Sequence, residues 1–304
     1  MIKNTLTRSD FSNSNEVRWC PGCGDYAILA AFQRILPELG LPPEKHVFVS
    51  GIGCAGRLPY YMNAYGFHTL HGRATAIATG LKALRDDVCV WVITGDGDAL
   101  SIGTNHLVHA FRRNLNVNIV LVNNQVYGLT KGQFSPTSPK GKVTKTSPHG
   151  VQSEAINPLA LALGSNASFV ARAVDKDPKH LGNMSKAAYA HQGTSFVEVY
   201  QDCHIFNQGA FDAFSTKTNR EENTIYLEPG CDVKRLKLNA ETHNPADFMQ
   251  AMQLANLTFP EHPVPLGVYY QKERDVFTLK LKANKKRADL SALYRAKASW
   301  QVLG

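Results

Sequence analysis

The stretch "VCVWVITGDGDAL" (88–100) decides the fold, because it joins an unbroken apolar run to a turn of glycines and aspartates. A short continuous apolar run rich in β-branched residues is typical of a strand that is buried on both faces. The segment "VNIVLVNN" (117–124) repeats this pattern, and residues 99–113 between the two have helical spacing. A strand, a helix and a strand in this order predict two parallel neighbours connected by a crossover helix.

The same alternation continues on both sides of this unit. We predict further strands at 46–51, 169–174 and 194–200, and further helices at 24–36, 73–85, 157–164, 178–192 and 244–257. Buried strands that alternate with helices indicate a parallel sheet covered on both faces, so the predicted fold class is a doubly wound α/β sheet. Residues 131–157 are rich in proline, glycine and hydroxyl side chains and predict a long loop, which in compact domains is usually functional or disordered.

The pattern divides the chain into three predicted regions. Residues 1–14 form a polar N-terminal arm, and residues 15–230 form the α/β domain. The parallel pattern fades in residues 231–304, which are predicted to be a C-terminal extension that docks another subunit.

Composition limits the class of protein. The chain has 304 residues, a hydrophobic fraction of 43% and a formal net charge of +8, much of it in the tail 280–300. A basic tail of this kind suggests either a solvated helix face or docking to an acidic partner, so we expect no nucleic-acid binding. The polar N-terminus lacks the apolar run of a signal peptide, and no segment approaches the roughly 18 apolar residues of a membrane span. We therefore expect a soluble cytoplasmic protein with no membrane contact.

Polar residues follow two neighbouring strands of the predicted sheet. Ligands of such sheets bind beyond the carboxyl ends of the strands, where Asp96 and Asn124 are expected to lie side by side. Their side-chain oxygens suit a hard cation such as Mg²⁺. Gly95 and Gly97 allow the backbone to approach a charged ligand, and the helix predicted to begin near Ala99 favours a phosphate at its amino end. The segment predicts a metal-bridged diphosphate site.

The cysteines raise a second question. Cys20 and Cys23 lie in "WCPGCGD" (19–25), and the pair is compatible with a redox dithiol, half of a zinc site or half of an iron–sulfur site. Cys54 and Cys203 each follow a predicted strand, at the same edge as "GDGD", and a thioredoxin-like dithiol would need neither. Their spacing does not separate zinc from iron–sulfur. The two remaining cysteines, Cys89 and Cys231, are interpreted as structural.

The segment "GDGDAL" through "VNN" resembles the diphosphate-binding motif of thiamine diphosphate enzymes. The resemblance implies that Asp96 and Asn124 bind Mg²⁺ through their side chains and that Val126 binds it through its carbonyl. It also implies the sheet type of the diphosphate-binding domain of these enzymes. Single-chain members carry a second α/β domain with a glutamate that activates the aminopyrimidine ring, and only one such domain fits here.

Residues 15–210 closely resemble the β subunit of 2-oxoacid:ferredoxin oxidoreductases, on the ordered motifs "WCPGCGD", "SGIGCAGR", "HGRATAIATGLK", "GDGDALSIGTNH" and "NNQVYGLTKGQFSPT". The resemblance implies one [4Fe–4S] cluster held by Cys20, Cys23, Cys54 and Cys203. It also implies oxidative decarboxylation of a 2-oxoacid, with coenzyme A as acyl acceptor and an external ferredoxin as electron acceptor. A larger α subunit would supply the pyrimidine-binding domain and its glutamate, in an αβ or (αβ)₂ complex.

The resemblance also assigns roles to residues around the motifs. It places three residues, His71, Arg73 and Lys131, in the catalytic site. Residues that it implies contact the cofactor are Gly51, Ile52, Gly53, Cys54, His71, Gly72, Gly95, Gly97, Asp98, Gly128, Leu129 and Thr130.

Lys131 bears on the choice of substrate, because its ammonium could pair with the distal carboxylate of 2-oxoglutarate. Pyruvate-preferring relatives tend to have a small residue at this position, so 2-oxoglutarate is the predicted substrate. The alternative within this class is a pyruvate or broad-specificity 2-oxoacid enzyme. The alternative from another class is a zinc-stabilised subunit that serves as a non-catalytic scaffold.

Overall fold

A computed structural model describes residues 6–278 as a mixed α/β fold around one eight-stranded sheet. The strands are β1 (His46–Ser50), β2 (Tyr65–His68), β3 (Cys89–Gly95), β4 (Asn118–Asn123), β5 (Phe169–Val174), β6 (Ser195–Tyr200), β7 (Thr224–Leu227) and β8 (Val264–Gln271). The α-helices are α1 (Asp25–Ile35), α2 (Ala74–Leu84), α3 (Asp96–Leu100), α4 (Thr104–Arg113), α5 (Pro158–Gly164), α6 (Pro178–Ala190), α7 (Asp212–Ser215), α8 (Lys217–Asn223) and α9 (Phe248–Ala255).

The sheet has the strand order β2-β1-β3-β4-β6-β5-β8-β7. Neighbouring strands run parallel throughout, except that β8 pairs with β5 in the antiparallel sense. The predicted doubly wound α/β fold is therefore confirmed. Because β1, β3, β4, β5 and β6 run in one direction, their carboxyl ends meet at one edge of the sheet.

Two hydrophobic cores cover the two faces of the sheet. One packs α2, α4, α5 and α9 against one face, and the other packs α1 and α6 against the opposite face. Alternate residues of each buried strand enter opposite cores: Val90 and Val92 of β3 enter the first, whereas Trp91 and Ile93 enter the second. Burial on both faces is why the strands read as unbroken apolar runs instead of alternating ones.

One helix differs from its prediction. The single helix predicted at 99–113 is two helices, α3 and α4, which are separated at Ser101–Gly103. Gly103 packs against the backbone of Gly72, and a Cβ atom on Gly103 would lie 2.6 Å from the carbonyl oxygen of Asp98. This close packing between two loops breaks the helix, and the first helix begins at Asp96 instead of Ala99.

Segments outside the predicted α/β domain also join the core. Phe11 is fully buried in the second core, although it lies in the predicted N-terminal arm. Both α9 and β8 belong to the predicted C-terminal extension, yet they contribute to the first core and to the sheet. The basic tail 280–300 lies outside the described residues, and its docking role stays a prediction.

The predicted loop 131–157 contains no helix or strand, and its first part lies over the ends of β3 and β4. Ser135 and Thr137 in this loop are buried. Within residues 6–278, no helix has both the length and the apolarity that crossing a membrane requires.

Two histidines, the buried His46 and the partly buried His180, make the stability of the fold depend on pH. Burial lowers the pKa of His46, at the start of β1, and of His180, in α6, to about 4. Each histidine has one ring nitrogen without a hydrogen-bond partner. In the unfolded chain their pKa would be about 6.5, so protonation favours unfolding as the pH falls from about 6.5 to about 4.

We expect the free energy of unfolding to fall between pH 7 and pH 5, by about 1 to 2 kcal/mol for each of the two histidines. Urea unfolding at the two pH values measures this loss. The double variant His46→Gln and His180→Gln should show a correspondingly flatter pH dependence. An identical pH dependence in wild type and variant would contradict the assignment.

Candidate active site at the carboxyl ends of the strands

A pocket lies where β1, β3 and β4 end, as predicted from the direction of the strands. It is lined by Ile52, Gly53, Cys54, Ala55, His71, Gly95, Asp96, Gly97, Asp98, Val122, Asn124, Val126, Tyr127, Gly128, Leu129 and Thr130. The pocket therefore brings together residues that are distant in sequence and includes most of the predicted cofactor-binding positions. The predicted residues Gly51, Gly72, Arg73 and Lys131 are not among its lining residues.

Asp96 is one of two buried carboxylates in this pocket. One of its oxygens accepts hydrogen bonds from the hydroxyls of Ser135 and Thr137, each at 2.5 Å. Burial raises the pKa of Asp96, although the two hydroxyls partly offset this rise. A buried carboxylate is costly to ionise without a compensating cation, and a hard cation beside it would supply that compensation.

Asn124 and Val126 lie across the pocket from the end of β3. The Asn124 side-chain oxygen accepts a hydrogen bond of 3.1 Å from the backbone N–H of Val126. Its side-chain nitrogen donates to Gln201, at 2.9 Å. The carbonyl of Val126 completes a set of three oxygen donors of the kind that Mg²⁺ prefers.

Asp98 holds three segments of the pocket together. Its side chain accepts hydrogen bonds from the backbone N–H groups of Ile52 and Gly72 and from the hydroxyl of Thr94. A Cβ atom at Gly51 would lie 1.8 Å from an Asp98 oxygen, so a side chain there would collide with this carboxylate. The role that the structure gives to Asp98 is to order the loops after β1 and before α2.

Gly97 is a second position where the backbone lies too close to a neighbouring side chain to carry a Cβ atom. A Cβ atom there would lie 2.2 Å from the ring of Tyr127, and the Tyr127 hydroxyl donates to the Gly97 carbonyl at 3.0 Å. The turn after β3 is thus held against the segment after β4, and glycine is required for this packing.

The three predicted catalytic residues differ in their placement. His71 lines the pocket, with its Nδ1 atom 2.9 Å from Asp98 Oδ1, although the contact lacks hydrogen-bond geometry. The Arg73 guanidinium instead donates to the carbonyls of Gly72 and Ile102. Lys131 is exposed and has a positive φ of 77°. Leu129 and Thr130 beside it are also exposed at the rim of the pocket.

Four cysteine thiols gather beside the pocket. A Cβ atom on the buried Gly128 would lie 3.5 Å from the sulfur of Cys203 and 3.6 Å from the sulfur of Cys54. The charge of Cys54 interacts with those of Cys20, Cys23 and Cys203. Three separate segments of the chain therefore bring four sulfur atoms to one region next to the predicted diphosphate site.

The thiols of Cys23 and Cys54 are not activated in the manner of a catalytic dithiol. Burial raises the pKa of Cys54 to about 12, with a further contribution from the carboxylate of Asp25. Burial and Asp25 also hold the pKa of Cys23 far above its usual range. A thioredoxin-like nucleophile needs a lowered pKa, and Cys23 of "WCPGCGD" has a raised one.

Within residues 6–278, no group of three or more His, Cys, Asp or Glu side chains is arranged so that it could hold a metal ion. The predicted metal ligands therefore stay predictions.

Sequence reasoning missed several residues of the site. Ser135 and Thr137 lie in the long loop, more than 35 residues after Asp96, and no local pattern relates them to the carboxylate. Gln201 could have been suspected from the sequence, because it lies two residues before Cys203, a predicted cluster ligand. Asn123 is part of the same network, because its side-chain oxygen accepts from Thr137 and its nitrogen donates to Glu198.

Comparison with known proteins identifies the class. Residues 51–199 match the family described as "Thiamine pyrophosphate enzyme, C-terminal TPP binding domain". This range contains both strand ends that carry Asp96 and Asn124. The fold and the pocket thus define a thiamine diphosphate-binding domain.

More similar proteins narrow this class. The chain is 58% identical over 221 residues to the 2-oxoglutarate oxidoreductase subunit KorB of Mycobacterium tuberculosis, over 73% of this chain. It is 41% identical to the 2-oxoacid:ferredoxin oxidoreductase subunit beta of Saccharolobus solfataricus, over 84% of this chain and 82% of that protein. The chain belongs to the family of 2-oxoacid:ferredoxin oxidoreductase β subunits. Its match spans only 59% of the length of the Mycobacterium tuberculosis protein.

A solved structure shows the same fold. The 2-oxoglutarate:ferredoxin oxidoreductase of Magnetococcus marinus, with 2-oxoglutarate, coenzyme A and succinyl-CoA bound, superposes with a TM-score of 0.79. The two chains are 36% identical, and the match covers 90% of this chain and 87% of the other.

Proposed function

We propose that this chain is the catalytic β subunit of a coenzyme A-dependent 2-oxoglutarate:ferredoxin oxidoreductase. In this reaction a 2-oxoacid loses CO₂, its acyl group is transferred to the sulfur of coenzyme A, and two electrons pass one at a time to ferredoxin. The observation that carries the proposal is that one pocket is lined both by Asp96 and Asn124 and by Cys54. Relatives named for this activity support the substrate and the acceptor.

Thiamine diphosphate, when bound, supplies a nucleophilic carbon and accepts the electrons that CO₂ leaves behind. The donor set fits its magnesium diphosphate: Asp96, Asn124 and the Val126 carbonyl would hold the cation. Ser135 and Thr137 orient the Asp96 carboxylate. Asp98 fixes the two loops that border the pocket beside His71.

A [4Fe–4S] cluster, when bound, carries one electron at a time. Thiols are the donor type for it, and Cys20, Cys23, Cys54 and Cys203 would be its ligands; the sulfurs of Cys54 and Cys203 lie beside Gly128. Cys54 lines the cofactor pocket itself, so electrons would leave the pocket on the side of this residue. Buried thiols of raised pKa are expected to lose their protons when the metal binds.

An α subunit is part of the proposal. The activating glutamate and the pyrimidine-binding domain would come from it, so the chain alone would be inactive. The edge strand β2 supports a docking surface near the pocket, because Tyr65 and Phe67 are exposed there and Leu70 follows them with 76% exposure. Exposed apolar clusters of this kind mark interaction sites.

The remaining features of the complex are extensions of this proposal. We propose an αβ or (αβ)₂ complex in the cytoplasm, in which residues 231–304 help to dock a partner and the basic tail attracts an acidic ferredoxin. The region has exposed apolar side chains at Phe248 and Met249, at the start of α9, that are suited to such a contact.

The complex purified with its α subunit in the absence of oxygen tests the proposed function. We expect 2-oxoglutarate to reduce ferredoxin and to form succinyl-CoA, and expect both to require coenzyme A and thiamine diphosphate. Faster turnover with pyruvate would support the alternative substrate. Failure of every 2-oxoacid to reduce an acceptor would contradict the function.

Replacing Lys131 with alanine tests the substrate assignment. Lys131 directly follows Leu129 and Thr130, which line the pocket. Its ammonium would pair with the distal carboxylate of 2-oxoglutarate, a group that pyruvate lacks. We expect KM for 2-oxoglutarate to rise about 10-fold, as for loss of one charged contact, and KM for pyruvate to stay within about 2-fold. Lys145→Ala, at an exposed lysine of the same loop, is the matched control and should change neither value. An equal effect of Lys131→Ala on both substrates would remove the basis for the assignment.

A further inference from the structure

One buried glutamine contacts both the predicted magnesium site, at Asn124, and the predicted cluster site, at Cys23. Gln201 follows β6 directly, and its backbone N–H donates to the carbonyl of Asn123 at the end of β4. The residue is 1% exposed. Its side-chain oxygen accepts a hydrogen bond from Asn124 at 2.9 Å, and its side-chain nitrogen lies 3.4 Å from the sulfur of Cys23 in hydrogen-bond geometry.

The orientation of this carboxamide is fixed by its surroundings. Its nitrogen also donates to the carbonyl of Asp202, at 2.6 Å. A flipped amide would place its oxygen against this carbonyl and against the sulfur, and its nitrogen against the Asn124 nitrogen, which would be three unfavourable contacts. Gln201 also packs against Gly24, where a Cβ atom would lie 3.0 Å from its Cγ atom.

The contact with Asn124 determines which atom of that residue faces the pocket. Because the Asn124 nitrogen is held by Gln201, the Asn124 oxygen is left on the side of Val126 and the pocket. Magnesium requires an oxygen ligand at this position and would be repelled by an amide nitrogen with two protons. Without Gln201, the Val126 N–H would still favour this orientation, but the Asn124 nitrogen would lose the acceptor that holds it.

The contact with Cys23 would affect the iron–sulfur cluster. A hydrogen bond to a ligating sulfur stabilises the more negative, reduced state of an iron–sulfur cluster and so raises its reduction potential. Gln201 supplies such a donor from the same side chain that orients Asn124.

We propose that Gln201 is a positioning residue that sets both the magnesium affinity of the thiamine diphosphate site and the reduction potential of the cluster. This inference rests on the proposed function, in which Asn124 and Cys23 are ligands. Gln201 would connect the two sites through one amide group.

Two variants of the complex with its α subunit separate the two roles. Gln201→Met has a similar volume but lacks the strong acceptor and the donor. We expect the magnesium concentration that half-saturates thiamine diphosphate binding to rise at least 10-fold and the midpoint potential of the cluster to fall. Gln201→Glu retains an acceptor for Asn124 but no donor for Cys23, so it should restore the magnesium value to within about 3-fold and still lower the potential.

The control is Gln192→Leu, at an exposed glutamine whose side chain accepts a hydrogen bond from Asn116. It should change neither quantity. A Gln201→Met complex with wild-type magnesium dependence and wild-type potential would overturn the inference while leaving the proposed function intact. If the Gln201→Met complex does not assemble, the Gln201→Glu complex tests the inference instead. Weak magnesium binding or an unchanged midpoint potential in that complex would overturn the inference. A wild-type complex without iron would instead refute the proposed function.

Discussion

Replacing Asp96 with asparagine is expected to abolish magnesium-dependent binding of thiamine diphosphate and to lower acyl-CoA formation about 100-fold or more. Asp96 is the single carboxylate among the three predicted ligands of the cation. The hydroxyls of Ser135 and Thr137, which contact one of its oxygens, can donate to an amide oxygen equally well. The substitution therefore removes the charge and preserves the packing.

Titration of thiamine diphosphate at several magnesium concentrations, followed by calorimetry in the complex, measures this effect. Asp86→Asn is the matched control, since Asp86 is exposed and lies before β3, at the opposite end from Asp96. It should leave binding and activity unchanged. An Asp96→Asn complex that binds the cofactor within about 3-fold of wild type would show that this carboxylate is not the metal ligand.

Replacing Cys54 with serine is expected to remove the iron–sulfur cluster and electron transfer to ferredoxin with it. Cys54 is the one predicted cluster ligand that also lines the cofactor pocket, and it interacts with the three other thiols. Serine is nearly isosteric, so the fold should be retained, but its hydroxyl is a poor ligand for the soft iron of such clusters.

Iron and sulfide content, together with the visible spectrum of the anaerobic complex, reports this loss. Cys89→Ser is the matched control, because Cys89 is the first residue of β3 and lies at the opposite edge of the sheet from the pocket. This variant should keep its cluster. A Cys54→Ser complex with an unchanged iron content, or equal loss from both variants, would contradict the assignment of Cys54.

Hydrophobic periodicity accounts for most of the fold that could be predicted. The strands β1, β3, β4, β5 and β6 are buried on both faces and so are mostly apolar, which is visible without a structure. Arg172 in β5 and Glu198 in β6 are charged exceptions, and they form a buried ion pair with each other. The parallel direction of these strands then placed Asp96 and Asn124 at one edge. Cys54 and Cys203 could be placed there by the same argument.

Contacts between distant loops could not be predicted in this way. The break between α3 and α4 depends on the packing of Gly103 against Gly72, and neither residue signals the other in the sequence. Likewise, the loop 131–157 has a turn-rich composition, which does not show that Ser135 and Thr137 reach Asp96. Such contacts depend on how whole segments pack, and no local propensity encodes them.

The metal content of the anaerobically purified complex tests the central claim most directly. If the four cysteines hold a redox cluster beside thiamine diphosphate, the complex should contain about four iron and four sulfide per copy of this chain, as one [4Fe–4S] cluster requires. Addition of 2-oxoglutarate and coenzyme A should then bleach the cluster. One zinc and no iron would contradict the account and would leave "WCPGCGD" as part of a structural zinc site.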